Sequence, residues 1–295
     1  MKVMKKKTRI LAGIVCLSIF AFMALGSGSS SETEKKEITG SSENKNDNRE
    51  VAIEEQVLID KENIKITAMK YEKDSIWGEG IKLNIENNSD KDYTIGCDAL
   101  IVNDFMISDL FVSTVAAGKK ANETMYLSSS ALEAAGITEI GKVEIYFHAY
   151  DKDYNNLFSK EYCMIKTSLY EHMDTSADTS GTELYNKGGI RIVGKTVDKN
   201  SFWGTAILLY IENAADKNVG LSVEDLSING YMLNPVFSST VYAGKKAYDD
   251  ITLLETDLEE NNIESIDSVE LKFHIYDADT YETITDSDVI TFSTK

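Results

Sequence analysis

Hydrophobic and polar residues alternate along much of the chain, as they do in β-strands with one buried face. Residues 81–86 place Ile, Leu and Ile on one face and Lys, Asn and Glu on the other. Residues 143–148 and 269–274 show the same period of two, with aliphatic residues and Phe on the apolar face. Because successive side chains of a strand point to opposite faces of a sheet, these segments predict half-buried strands.

Turn signals separate the predicted strands. Asn-Gly at residues 229–230 lies between two apolar stretches, and this pair tolerates the positive φ angles of a two-residue hairpin. Asn-Asp at residues 103–104 is a weaker form of the same signal. The sequence Ala-Gly-Lys-Lys-Ala occurs twice, and its Gly118 and Gly244 are predicted to supply the left-handed residue of a further turn.

One short helical turn is expected in each half of the chain. Residues 130–133 and 256–259 both fit a capping box, in which a hydroxyl caps one backbone amide and a Glu three residues later caps another. Leu132 and Leu258 are then expected to seat these turns against the core.

The chain contains one sequence twice, with a period of 126 residues and no gap. Between residues 58–153 and residues 184–279, 39 of the 96 positions are identical. The period is far longer than that of a stacked solenoid repeat, so it predicts two separate domains. The two parts of the chain that contain these copies, residues 51–168 and 182–295, are called repeat 1 and repeat 2 below.

The sequence predicts five segments. Residues 1–26 join a basic start to an uncharged apolar run that is short for a membrane span, as in a secretory signal peptide. Residues 27–50 are a polar, low-complexity stretch and are expected to form a flexible spacer. Residues 51–168 form domain 1, residues 169–182 a polar linker, and residues 183–295 domain 2. An uncleaved signal segment that anchors the chain in a membrane is the alternative.

The strand pattern predicts an all-β protein. Each copy has about seven short strands with regular turns, which favours two tandem immunoglobulin-like antiparallel β-sandwich domains, each with one short helical turn. The Cys–Trp–Cys signature of antibody domains is absent from both copies. A small antiparallel barrel is the alternative.

Three motifs carry a resemblance to a known group of domains. Trp-Gly-x-x-Ile-x-Leu-x-Ile-Glu-Asn at residues 77–87, Ala-Gly-Lys-Lys-Ala and Phe-His-x-Tyr-Asp-x-Asp resemble the Ig-like domains of uncharacterised secreted proteins and lipoproteins of Gram-positive bacteria. The broader group is similar in fold to the mycobacterial immunoprotective extracellular antigen. The resemblance implies an Ig-like fold and a place in the cell envelope, but no catalytic residue. Members are often lipid-anchored through a Cys; Ser27 stands at that position here, so no lipid anchor is predicted.

Charge narrows the classes of partner. The formal net charge is −19, and removal of residues 1–26 with their five basic residues leaves 25 basic and 49 acidic residues, a charge of −24. Such a surface repels phosphate backbones and anionic lipid surfaces. The expected partner is therefore an extracellular protein or a glycan, not a nucleic acid, and a membrane only through an uncleaved signal segment. No cofactor is expected.

Trp77 and Trp203 are the two tryptophans of the chain, and they occupy equivalent positions before a Gly. One interpretation is a pair of aromatic platforms that stack on sugar rings. The other interpretation is a ring that closes one end of each sandwich, because large aromatic side chains are more often part of a core.

Aspartates follow the strand at residues 143–150 and its copy. Asp151 and Asp153, like Asp277 and Asp279, have the alternate spacing of calcium ligands. The Gly and Glu expected further along a calcium loop are absent, which favours a turn that bonds to its own backbone.

Cys97 and Cys163 are both in repeat 1, and Val223 and Val289 replace them in repeat 2. An extracellular pair of this kind is compatible with a disulfide, but also with two buried thiols that behave as small apolar groups.

His148 and His274 are equivalent and are predicted to lie on an outward or inter-domain strand face, as a surface pair rather than as metal ligands. The Lys-Lys pairs at residues 119–120 and 245–246 are expected to be solvated hairpin tips, or else contacts for anionic wall polymers.

The expected function is non-catalytic binding. The chain has no nucleophile elbow, Walker loop, zinc spacing or dinucleotide fingerprint. We therefore expect a secreted or envelope-associated tandem Ig-like interaction protein whose two copies act together. A carbohydrate-binding module that uses Trp77 and Trp203, a passive extracellular spacer and a small hydrolase are the alternatives.

Overall fold

The computed structural model describes residues 50–74, 78–107, 111–201 and 204–294. Repeat 1 forms nine strands and a helical turn, namely β1 Gln56–Lys61, β2 Ile64–Asp74, β3 Gly78–Asn87, β4 Tyr93–Val102, β5 Phe105–Ile107, β6 Val112–Val115, β7 Lys120–Tyr126, α1 Ser129–Ala134, β8 Lys142–Tyr150 and β9 Asn156–Lys166. Repeat 2 forms β10 Thr182–Lys187, β11 Ile190–Ser201, β12 Gly204–Asn213, β13 Val219–Ile228, β14 Tyr231–Met232, β15 Ser238–Val241, β16 Lys245–Leu254, α2 Glu255–Glu260, β17 Ser268–Asp277, β18 Thr283–Asp286 and β19 Ile290–Ser293.

The prediction of an all-β fold is confirmed. The strands form three sheets: sheet I has the order β1-β2-β3-β7, sheet II has the order β10-β11-β12-β16-β5-β4-β8-β9 with β6 on β4, and sheet III has the order β14-β13-β17-β18 with β15 and β19 at its sides. Every pairing of named strands in the described chain is antiparallel except the contact between β16 and β5, which joins repeat 2 to repeat 1. Sheet II therefore runs through both repeats.

The alternation of apolar residues places the core as predicted. Ile81, Leu83 and Ile85 on β3 are fully buried, and so are the apolar residues of β8 and β17, which are Val143, Ile145, Phe147, Val269, Leu271 and Phe273. In repeat 1 these side chains join one cluster with residues from sheet I and sheet II, so the two sheets pack face to face.

The predicted turns are also confirmed. In the β13–β14 hairpin Ile228 pairs with Tyr231, and the two residues between them have positive φ angles of 51° and 88°. The turn between β4 and β5 has the same form. Gly118 and Gly244 both adopt left-handed φ angles, of 66° and 72°.

Both helical turns are present, but the predicted capping boxes are wrong. The N-cap of α1 is Ser128, whose Oγ accepts a hydrogen bond from the Ala131 amide at 3.4 Å, so the helix begins earlier than the box at residues 130–133 requires. The N-cap of α2 is Leu254, which makes no side-chain cap. Leu254 is still paired with Gly204 as the last residue of β16, so the chain enters α2 directly from the sheet.

A buried asparagine fixes the same loop in each repeat. The Asn87 side-chain amide donates to Lys91 O at 2.7 Å and Val115 O at 2.8 Å. Asn213 makes the equivalent bonds to Lys217 O and Val241 O. Both side chains are fully buried, so these bonds satisfy groups that water cannot reach. The recurrence of the Asn at the end of this motif in both repeats has this structural cause.

Lys245 holds the two repeats together. Its ammonium donates to Asp104 Oδ1 at 2.6 Å and to Glu144 Oε1 at 2.8 Å, and both carboxylates belong to repeat 1. Lys142 bridges the same two carboxylates at 2.8 and 2.7 Å. These four residues are called the charge ring. Two cations and two anions balance in a largely buried place, which is the arrangement that offsets the cost of removing charges from water.

Backbone and aromatic contacts surround the charge ring. The Lys246 amide donates to Asp104 O at 3.0 Å, which is the parallel contact between β16 and β5. The Tyr146 and Tyr242 rings meet edge to face with centroids 4.7 Å apart. Phe105 stacks on Tyr248, and the Lys246 ammonium lies 5.4 Å from the Phe105 centroid.

The solvated-tip interpretation is therefore wrong for residues 245–246, which lie in the contact between the repeats, although Lys119 and Lys120 are exposed. The linker also packs against this contact. Lys246 Nζ donates to Thr175 O, and the Tyr248 hydroxyl donates to Asp178 O. None of the helices in the described part of the chain is both long enough and apolar enough to cross a membrane.

Replacement of Lys245 by Met should lower the free energy of unfolding by about 2 kcal/mol, because it leaves two buried carboxylates with one cation. Lys119→Met changes the equivalent exposed residue and should cost less than about 0.5 kcal/mol. Burial raises the pKa of Asp104, but hydrogen bonds from Lys142 and Lys245 outweigh it and hold that pKa below its ordinary value. The stabilisation is thus present at neutral pH and is lost as the pH falls through the lowered pKa.

Urea unfolding of both variants at neutral and acid pH provides the measurement. Equal losses for Lys245→Met and Lys119→Met at neutral pH would contradict the role of the charge ring.

Candidate binding surface

Trp77 and Trp203 lie outside the described residues, so the two interpretations of these side chains remain predictions. The glycines that follow them, Gly78 and Gly204, begin β3 and β12 with positive φ angles.

The aspartates proposed as weak calcium ligands form backbone turns. Asp151 Oδ1 accepts hydrogen bonds from the Asp153 and Asn155 amides, both at 3.0 Å. In repeat 2, Asp277 Oδ1 accepts from the Asp279 amide at 2.9 Å and the Thr280 amide at 3.1 Å. These are the turns that the second interpretation expects. The part of the chain that is described contains no group of three or more His, Cys, Asp or Glu side chains placed to hold a metal ion.

Cys97 and Cys163 are not joined by a disulfide in the described chain. Cys97 pairs with Phe147, and Cys163 pairs with Ile145, on opposite sides of β8. Two strand spacings are about 10 Å, which exceeds the Cα separation of a disulfide. Cys163 Sγ lies 3.2 Å from Leu58 O, and burial raises the pKa of this thiol to about 11, so it is not an activated nucleophile.

A stack of three rings lies on the outer face of β8 and the turn after it. His148 stacks on Tyr150 with ring centroids 5.7 Å apart, and Tyr150 stacks on Tyr154 at 5.6 Å. His148 Nδ1 lies 2.8 Å from Asp98 Oδ1, which fixes the inner end of the stack. The outermost ring, Tyr154, is 81% exposed. These three rings are called ladder 1.

Repeat 2 has the same arrangement, called ladder 2. His274 stacks on Tyr276 at 5.6 Å, Tyr276 stacks on Tyr281 at 6.1 Å, and His274 Nδ1 lies 2.6 Å from Asp286 Oδ1. Tyr281 is 79% exposed. Both outer tyrosines have left-handed backbones, with φ angles of 61° and 60°. A left-handed backbone is unfavourable for a bulky residue, so the recurrence of an exposed Tyr in this conformation is evidence for a use of the ring.

The outer face of β8 therefore has two environments. Its first part, with Glu144 and Tyr146, is covered by repeat 2. Its second part carries His148 and Tyr150 of ladder 1. His148 therefore lies on the part of the strand that repeat 2 does not cover, which is the outward one of the two placements expected for the histidines.

Polar contacts connect the inner end of ladder 1 to the turn that carries ladder 2. Asp98 bonds His148 with one oxygen, and its Oδ2 accepts from the Lys160 amide at 2.9 Å. The Lys160 ammonium in turn bonds Asp279, two residues before Tyr281. This series of contacts, from His148 through Asp98 and Lys160 to Asp279, thus connects repeat 1 to repeat 2.

The charge on Asp98 is stabilised locally. Burial alone raises the pKa of this carboxyl, but hydrogen bonds from His148 and from the Lys160 amide outweigh burial and lower the pKa. The carboxylate is therefore ionised at neutral pH and holds the His148 ring in place. The arrangement presents flat aromatic faces beside carboxylates, which suits stacking and hydrogen bonding to a ligand.

Comparisons with known proteins leave the family open. No protein-family model and no curated protein matches the chain. Among solved structures, a protein of unknown function from Porphyromonas gingivalis W83 is similar over 73% of this chain and 89% of its own, with 10% identity and a TM-score of 0.21. Red sea bream transglutaminase matches 81% of this chain with 10% identity and a TM-score of 0.19, and this chain covers 31% of that enzyme.

Sequence reasoning missed the two outer tyrosines. The repeat offset of 126 aligns Tyr154 with Thr280, whereas the ring that replaces it in space belongs to Tyr281. The aromatic residue lies three positions after Asp151 in the first turn and four positions after Asp277 in the second. The available signal was a Tyr close behind each Phe-His-x-Tyr-Asp motif.

His148→Leu should raise the pKa of Asp98, because burial remains while a hydrogen bond to the charged carboxylate is lost. In the folded wild type the lowered pKa means that ionised Asp98 stabilises the fold at any pH above the ordinary pKa of an Asp. This contribution is lost as the pH falls through the lowered pKa. Titration of the Asp98 carboxyl carbon by NMR measures both values. His172→Leu, in the 3-10 turn Tyr170–His172, serves as the control and should leave the pKa of Asp98 unchanged. An unchanged pKa in His148→Leu would show that His148 does not hold Asp98.

Proposed function

We propose that this chain is a non-catalytic binding protein of a bacterial cell envelope, secreted or held at its outer face. Two immunoglobulin-like domains would present ladder 1 and ladder 2 as aromatic platforms for an extracellular glycan. The proposal combines the signal-peptide pattern of residues 1–26, the acidic composition of the remaining chain and the aromatic surface.

The observation that carries this proposal is the pair of exposed outer tyrosines. Tyr154 and Tyr281 each rest on a second Tyr, which rests on a His held by a carboxylate. The stacked rings restrict each Tyr before a ligand arrives, so little side-chain entropy is lost on binding. An exposed, oriented aromatic face is suited to stacking on the apolar face of a sugar ring.

Charge specifies the glycan further. Asp153 lies beside Tyr154 in sequence, and the chain after residue 26 carries a net charge of −24. Carboxylates beside an aromatic face repel sulfated, phosphorylated or uronic sugars. We therefore expect a polysaccharide of neutral sugars or amino sugars, and a basic protein segment as the alternative ligand.

Two ladders in one chain favour avidity. The contact between the repeats limits how far the ladders move relative to each other. Binding at one ladder then raises the effective concentration of a repeating polymer at the other. A ligand with many equivalent sugars benefits from this arrangement more than a single small molecule does.

The alternative of a small hydrolase would need a nucleophile, and the one Cys–His pairing to consider joins Cys163 with His172. The Cys163 thiol is buried with a raised pKa, and His172 lies in the 3-10 turn after β9. A Cys–His nucleophile needs a thiolate within hydrogen-bond reach of a base. The ladders offer a better-supported role for the histidines of both repeats, which is to anchor aromatic rings.

Tyr154→Ala and Tyr281→Ala should each weaken binding to a neutral or amino-sugar polysaccharide about tenfold, a loss of about 1.4 kcal/mol. The double variant should lose more than the product of the two single effects on a polymeric ligand, because avidity is lost as well. Tyr170→Ala is the control; its ring lies under the Lys166 ammonium rather than in a ladder.

Affinity electrophoresis in gels with and without polysaccharide, followed by calorimetry, supplies the measurement. If the polysaccharide slows the migration of Tyr154→Ala and Tyr281→Ala as much as that of the wild type, the ladders are not the binding site. Binding only to basic proteins, with loss in the same variants, would assign the ladders to a protein ligand instead.

A further inference from the structure

The contact between the repeats uses two surfaces, and each chain carries a second copy of both. The acceptor surface of repeat 1 consists of the β4–β5 hairpin and the start of β8. The donor surface of repeat 2 consists of the Ala-Gly-Lys-Lys turn and β16. By the offset of 126 residues, repeat 2 has its own acceptor surface at the β13–β14 hairpin, and repeat 1 has its own donor surface at residues 117–120 and β7.

The second acceptor surface keeps its apolar residues but exposes them. Tyr231 and Met232 stand where Phe105 and Met106 stand in repeat 1. Phe105 is 1% exposed under repeat 2, whereas Tyr231 is 50% exposed and Met232 65% exposed. Glu270 stands where Glu144 stands, and it too is exposed. Exposed neighbouring apolar side chains of this kind are a common mark of an interaction surface.

The second donor surface is exposed as well. Lys119 and Lys120 stand where Lys245 and Lys246 stand, in the same Ala-Gly-Lys-Lys-Ala turn with the same left-handed Gly. In the described chain β7 is the last strand of sheet I, and β14 is the last strand of sheet III. Such end strands retain backbone groups that can pair with another strand.

We propose that two copies of this chain associate head to tail, with the donor surface of repeat 1 in one copy on the acceptor surface of repeat 2 in the other. Lys119 meets Glu270 as Lys245 meets Glu144, and Lys120 lies over Tyr231 as Lys246 lies over Phe105. The opposite charges and the precedent within the chain both specify this occupant. Because the two surfaces differ, each copy that joins leaves one donor and one acceptor surface at the ends of the row, so further copies add until the row closes into a ring.

The contact between copies is weaker than the contact within the chain. Asp104 is replaced by Gly230 and Lys142 by Ser268, so the second acceptor surface has one carboxylate of the charge ring and lacks its bridging lysine. The Tyr146–Tyr242 contact has no equivalent either, since Lys272 and Ala116 stand at those positions. We therefore expect reversible association at high protein concentration, as on a crowded surface, rather than stable filaments.

A charge-swap experiment tests the proposal. The purified wild-type protein should show a mass-average molecular weight that rises with concentration up to about 1 mM in sedimentation equilibrium. K119E and E270K should each remain monomeric, because each places like charges across the contact. An equimolar mixture of the two variants should associate again, because every contact between unlike chains joins opposite charges. K187E, which makes the same charge change on the β10–β11 hairpin, should behave as wild type.

The result is decisive in either direction. Wild-type protein that stays monomeric over the whole range, or association that K119E and E270K both retain, would overturn the proposal. Association that each variant loses and the mixture restores would support it, and unfolding curves of K119E and E270K that match wild type would exclude misfolding as the cause. Glycan binding is measured in a separate experiment, so a failure of the glycan-binding proposal would not change the result of the sedimentation experiment.

Discussion

The charge ring around Lys245 determines how this molecule is organised. A lysine and two carboxylates lose hydration when the repeats pack, and only the closed arrangement with Lys142 returns that energy. Such a ring contributes little net stability compared with an apolar contact of the same size, but it is intolerant of misplacement. A shift of β16 along β5 would leave buried charges without partners. The ring thus selects one packing of the repeats, and this packing places the β8 outer face, the linker and both ladders.

The placement of the two ladders relative to each other depends on the same packing. Repeat 2 covers the first half of the β8 outer face and leaves the second half for ladder 1. The Asp98–Lys160–Asp279 contacts then join the inner end of ladder 1 to the turn of ladder 2. A surface built in this way combines two copies of one local structure into a larger one, which neither repeat presents alone. This is a physical reason for a duplicated chain to keep both copies in contact.

Local features of the fold were predictable from sequence because they depend on neighbouring residues. Strand alternation placed Ile81, Leu83 and Ile85 in the core, and Asn229-Gly230 determined a hairpin. The capping box of α2 failed because the chain runs from β16 straight into the helix, a tertiary constraint that no four-residue pattern contains, whereas in α1 the cap is Ser128, ahead of the predicted box. The role of Lys245 was not predictable from its motif, since Lys119 in an identical motif is exposed. The informative signal was the change between copies at their partners, such as Asp104 to Gly230. The outer tyrosines were not predicted, because the offset of 126 residues aligns Tyr154 with Thr280 and not with Tyr281.

Hydrogen exchange of the Lys246 amide tests most directly whether the repeats form one rigid unit. This amide donates to Asp104 O across the contact between the repeats, whereas the Thr252 amide donates to Val236 O within repeat 2. If the charge ring holds the repeats together, the Lys246 amide exchanges no more than about tenfold faster than the Thr252 amide, whose isolated bridge to Val236 does not depend on the contact between the repeats. If the Lys246 amide instead exchanges as fast as the exposed turn at Gly244, the repeats separate readily, and the charge ring does not hold them together.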